Sequence, residues 1–131
     1  VQKSSSGQTN VSTNTTVTFD SEIFDRNGDF ASNTFTAPVT GVYQLNFIVR
    51  VDELDTDANW TRFQLVTSNR TYEPNIVDPG AFSGDPNYWN WTIAVLADMD
   101  ANDTVTVNFQ QDGGAAQVDI GTVFFSGYLV A

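Results

Sequence analysis

Three aspartate-rich segments of this 131-residue chain carry the side chains best suited to chemistry: Asp25, Asn27 and Asp29; Asp52, Asp55 and Asp57; and Asp98, Asp100 and Asp103. Spacing by about two residues sets hard oxygen ligands on a shared side of a turn, which is what a calcium loop requires. None completes a known loop, since DRNGD lacks the downstream bidentate glutamate of an EF-hand. The same residues also read as solvated turn formers, because Asp and Asn hydrogen-bond their own backbone two residues on. Calcium at Asp25, Asn27 and Asp29 is thus one expectation beside plain turn chemistry, and no other cofactor is expected.

Aromatic residues form a second set. Trp60, Trp89 and Trp91, with Tyr72 and Tyr88, offer flat apolar area with a polar tip, which suits stacking on a sugar. Trp89 and Trp91 share parity with Ile93 and Val95 and are assigned to the core, leaving Trp60 and Tyr88 as the candidate ligand-binding residues.

The inventory for catalysis is poor. The chain has no histidine and no cysteine, which removes the commonest general base, thiol nucleophiles, thiolate metal sites and disulfides together. Glu22, Glu53 or Glu73 could in principle form a paired-carboxylate glycosidase site, but that needs two carboxyls across a cleft. No Ser/His or phosphate-loop arrangement occurs, and an enzyme is not expected.

Charge narrows the partners. Five basic residues against sixteen acidic ones give a net charge of -11, which disfavours nucleic acid and anionic lipid. Most of the acid is aspartate, which prefers turns and caps to strand interiors, so the charge belongs at the ends of the fold. No apolar run approaches the ~18 residues of a membrane span, and the opening VQKSSSGQ has no apolar signal region, so no membrane insertion is expected. The first residue is not methionine, and a processed chain or an excised domain is expected. Asn-x-Ser/Thr sequons at Asn10, Asn14, Asn59, Asn69, Asn90 and Asn102 carry weight only in a secretory eukaryotic setting.

The elements that position these residues are strands. Alternation recurs along the chain with turn-forming clusters between, and helical periodicity is hard to find, so the chain is read as one all-β domain over residues 1–131. Thr13 to Asp20 alternates with Val17 and Phe19 inward, Thr61 to Thr67 puts Phe63 and Leu65 on one side, and Val105, Val107 and Phe109 alternate with polar neighbours. Asn27-Gly28 and Gly113-Gly114 mark reversals. Glu73 to Asn87 reads as a long surface loop or a pair of short edge pieces, and residues 1–15 as a loose arm or first strand.

Two strands have a second face that needs a cover. In GVYQLNFIVRV the odd positions Tyr43, Leu45, Phe47, Val49 and Val51 form a core face, while Val42, Gln44, Asn46, Ile48 and Arg50 are neither core nor ordinary solvent face. In VFFSGYLVA one side holds Val123, Phe125, Gly127, Leu129 and Ala131, the other Phe124, Ser126, Tyr128 and Val130. Contiguous aromatic surface rarely stays exposed on a monomer.

Three islands in register carry a family resemblance. VTFDSEIFDRNGDF, then NTFTAPVTGVYQLNF, and finally FFSGYLV together resemble the C1q-like domain, with DTVTV between them similar to the Gly-Asp and hydrophobic strand of that family, although Asn102 stands where its glycine usually does. The resemblance spans residues 16 to 131 and is poorest from Glu73 to Asn87. It implies an antiparallel ten-stranded jelly-roll sandwich shared with the tumour necrosis factor family, expected as a homotrimer. Its inner sheets face the threefold axis, which assigns Gln44, Asn46, Ile48, Phe124, Tyr128 and Val130 to the trimer interface. Closed cyclic symmetry is in any case the usual way for soluble chains to bury such a patch. Without cysteine or a collagen-like repeat, this version looks more like C1q-like modules of bacteria and phage virion proteins than like animal chains. The expected function is a non-enzymatic assembly and attachment module on a virion, as capsid decoration or tail fibre, contacting other virion or surface proteins or a host receptor. The alternative is a glycan-binding module of a bacterial surface protein or phage adhesin, located extracellularly or at the cell surface.

Overall fold

A computed structural model describes residues 1–3 and 7–131. In chain order the strands are β1 (Gln8–Val11), β2 (Thr15–Thr16), β3 (Phe30–Ala31), β4 (Thr34–Thr36), β5 (Gly41–Asp52), β6 (Ala58–Thr67), β7 (Thr71–Tyr72), β8 (Ile76–Val77), β9 (Tyr88–Met99), β10 (Thr104–Gly113) and β11 (Val118–Leu129). Every strand pairing is antiparallel. One sheet runs β1-β11-β5-β9 and the other β3-β4-β10-β6-β7, with β2 added to β10 and β8 to β6. Two such sheets face to face make the expected jelly-roll sandwich. Eleven strands are described rather than ten because four paired pieces, β2, β3, β7 and β8, are only two residues long.

The alternation read from the sequence sets the core. Tyr43, Leu45, Phe47, Val49 and Val51 of β5 are buried, as are Trp91, Ile93, Ala97 and Met99 of β9. The opposite sheet contributes Phe63, Leu65, Val105, Val107 and Phe109. Phe63 is the hub, with the rings of Phe47, Trp91 and Phe109 each 5.3 Å from it. Trp89 is only half-buried, roofed by Phe82 at 5.0 Å.

Alternation fails where the backbone departs from an even pleat. In β11 Val118 and Ile120 point inward, and so do Val123 and Phe125. A bulge between Ile120 and Val123 switches the parity. Toward the end of the strand the sandwich no longer covers the inward side, and Leu129 is 46% exposed. Thr13 to Asp20 pairs as a strand only at Thr15–Thr16, although Val17 is fully buried. The segment from Glu73 to Asn87 holds the edge piece β8 and a short 3-10 turn, Pro79–Ala81, capped by the Asp78 carboxylate accepting from the Gly80 amide at 3.0 Å. A two-residue reversal, Ser32-Asn33, joins β3 to β4, and both residues have positive φ (50° and 65°), as the right-handed strand twist favours in such a hairpin.

Residues 1–3 and β1 are tied down rather than loose. Gln2 bridges Ser21 and Phe124, and β1 pairs along β11. At the other side of that sheet the long edge strand β9 is blunted, since its Thr92 and Asp98 carbonyls accept from the side chains of Asn75 (2.8 Å) and Asn69 (3.1 Å). Among the described residues no helix is long and apolar enough to cross a membrane.

Because the Phe63 ring packs against those of Phe47, Trp91 and Phe109 at once, Phe63→Ala is expected to lower unfolding stability by about 3–5 kcal/mol. Urea titration followed by intrinsic fluorescence measures it.

Candidate functional site

The sandwich covers only one face of the sheet β1-β11-β5-β9. On its other face the register sets three rows across β11, β5 and β9: Phe124, Ile48, Thr92; Ser126, Asn46, Ala94; and Tyr128, Gln44, Leu96. Ile48 (49% exposed), Phe124 (41%), Tyr128 (60%) and Leu96 (59%) stand open to solvent. Five of the six residues assigned from sequence to this face, Gln44, Asn46, Ile48, Phe124 and Tyr128, are brought together on neighbouring strands. The sixth, Val130, follows just past β11, its amide donating to the Val42 carbonyl at 2.8 Å.

Leu96 was missed by sequence reasoning. Its signal was available, a lone large aliphatic on the even positions of a strand whose odd positions make core, but its place opposite Gln44 comes only from strand register. At the end of the same face the Arg50 guanidinium grips Asp52 with two bonds (2.9 and 3.1 Å) and lies 5.3 Å from the Tyr88 ring centre.

The two aromatic candidates do not share a platform. Tyr88 lies on β9 and Trp60 on β6, in different sheets. Trp60 faces outward, with the Arg62 guanidinium 4.7 Å over its ring. That guanidinium is fixed by Glu73 (3.0 Å) and by the Gln110 side chain (2.9 Å). Glu53 lies in the loop after β5, and Glu22 lines a shallow cavity of about 310 Å³ with Phe19, Phe30 and Asn33. The three glutamates therefore sit on separate elements.

The aspartate-rich segments close turns. Asp25 Oδ1 accepts from the amides of Asn27 (3.3 Å), Gly28 (2.9 Å) and Asp29 (3.0 Å), and Oδ2 from that of Phe30 (2.9 Å). These amides, that of Phe30 foremost, hold its carboxyl below the usual aspartate range. Asp55 is buried and joins two loops, accepting from the Asp57 amide (2.9 Å) and, across the sandwich end, from the Ala115 amide. Gly114 makes this approach feasible, since a Cβ there would lie 2.3 Å from Asp55 Oδ2 and its φ is +69°. Asp103 accepts from the Asp100 amide and the Asn69 side chain, both at 2.8 Å. Among the described residues no group of three or more Asp, Glu, His or Cys side chains is placed to hold a metal ion. Both Asp25 oxygens thus accept from backbone amides, and the Asp25, Asn27, Asp29 set forms a hydrogen-bonded turn.

A family model described as the C1q domain matches residues 2–130. Among solved structures, the globular domain of the zebrafish complement 1qA protein superposes with a TM-score of 0.68 at 18% identity, over 100% of this chain and 94% of that one, a likeness of fold. Comparison with curated proteins finds no match.

The lowered Asp25 carboxyl has a definite pH signature. Its stabilisation is fully present above the usual aspartate value, about 3.9, and is lost as pH falls through the lower folded value. Asp25→Asn is therefore expected to be less stable than wild type at neutral pH, with the gap closing on acidification below about pH 4. Urea midpoints of the two proteins across that range check it.

Proposed function

The chain belongs to the C1q domain family, and from that premise we propose that it is a homotrimeric assembly and attachment module, closed by the outer face of the sheet β1-β11-β5-β9. C1q domains typically form homotrimers, bind other proteins or ligands, and are generally non-enzymatic and extracellular or surface-exposed. The observation that carries the reading is the contiguous exposed face on which Phe124, Ile48, Tyr128 and Leu96 surround Gln44 and Asn46. An obligate interface has this make-up, an apolar area with satisfied polar groups within it. The mechanism is geometric. Three copies lock through this sheet, and the loops and outer strands then present repeated weak contacts whose avidity exceeds that of any single site.

The finer reading is a virion surface protein, capsid decoration or tail fibre, supported by the resemblance to cysteine-free C1q-like modules of phage. One observation favours a glycan-binding module as the alternative. Trp60 lies on the sheet that a trimer closed in this way leaves free, and its stacked Arg62 is held in place by Glu73 and Gln110, a preorganised surface on which a sugar could stack.

Sedimentation at micromolar concentration is expected to give about 43 kDa, three chains of 14.4 kDa. Tyr128→Asp and Leu96→Asp should sediment as folded monomers, and Gln44→Glu, which sets three like charges near the axis, should weaken the trimer. A monomeric wild type refutes the reading.

Capsid or tail genes flanking the coding sequence are expected for the virion assignment. A glycan-array signal abolished by Trp60→Ala would favour the alternative.

A further inference from the structure

The middle of the outer face is polar, with apolar side chains on both sides of it. Gln44 and Asn46 lie two residues apart on β5, flanked by Tyr128 and Leu96 in one direction and by Phe124 and Ile48 in the other. Both are half-buried within a single chain. Gln44 Nε2 donates to Asn46 Oδ1 at 3.2 Å and to the Leu45 carbonyl at 3.3 Å. The other end of each amide, the Gln44 Oε1 acceptor and the Asn46 Nδ2 donor, has no partner among the described residues. Each chain therefore offers its neighbours one acceptor oxygen and one donor nitrogen, which carries two hydrogens.

We infer that Gln44 and Asn46 form a closed donor-to-acceptor ring between copies, Asn46 of each donating to Gln44 of the next, and that this ring selects the register and stoichiometry of self-association. The inference rests on the trimer reading above. A spare donor group and a spare acceptor on every copy let the chain-to-chain bonds close head to tail around a cyclic assembly. A slipped arrangement that sets either amide against Phe124, Tyr128 or Leu96 leaves a desolvated polar group unpaired, and that costs more than a made hydrogen bond contributes. The apolar rows attract without direction. A buried amide among them supplies the direction, as a single polar residue does at a coiled-coil seam.

The test is a double-mutant cycle on the full chain, with Asn46→Leu, Gln44→Leu and the double variant compared with wild type by sedimentation equilibrium and native mass spectrometry. Both side chains point away from the core, and circular dichroism verifies that each variant is folded. Each single variant strands one amide in the interface and is expected to weaken association at least about tenfold. The double variant strands none; it should recover association to wild-type strength or beyond while populating dimers or larger species beside the trimer. Single-variant losses that simply add in the double, or a double variant that remains one uniform trimer, overturn the inference and leave the trimer reading standing. A monomeric wild type overturns both.

Discussion

The packing of Phe63 against Phe47, Trp91 and Phe109 holds the two sheets face to face, and the remaining features follow from it. Phe47 and Trp91 lie on neighbouring strands of one sheet, Phe63 and Phe109 directly opposite each other on the other. Bringing these rings into contact sets the sandwich spacing and commits the odd residues of β5 from Tyr43 to Val51 to the interior. Because side chains alternate across a strand, the same contact commits Gln44, Asn46 and Ile48 to the outside.

Charge plays a supporting part at the ends of the sandwich. Carboxylates there act mainly as hydrogen-bond acceptors for turns: Asp25 gathers four amides, Asp103 ties the turn before β10, and Asp55 joins the loop after β5 to the one before β11. Asp85 accepts from Thr56 and from the Gln117 side chain, and the Thr56 hydroxyl foremost holds its carboxyl below the usual range. A chain without cysteine thus fastens its loops with local acceptors rather than covalent links.

The face left outside the sandwich is the surface proposed for self-association. Its apolar side chains come from three strands far apart in sequence, and none alone exceeds what a soluble surface tolerates. Set side by side they form a contiguous patch, which does call for a cover. Trp60 and its stacked Arg62 belong to the opposite sheet, on the other side of the molecule from that proposed surface.

Much of this was legible in the residues alone. The even alternation of β5, β6 and β10 identified their buried faces, and the apolar second face of the closing strand marked it as needing a cover. Those properties are local, since a period of two depends only on the backbone of one strand. The bulge that flips parity in β11 and the place of Leu96 beside Gln44 were decided only by the tertiary structure. Each depends on which strand lies beside which, and in what register. Contacts between distant segments settle that, and the order of residues along one strand does not encode it.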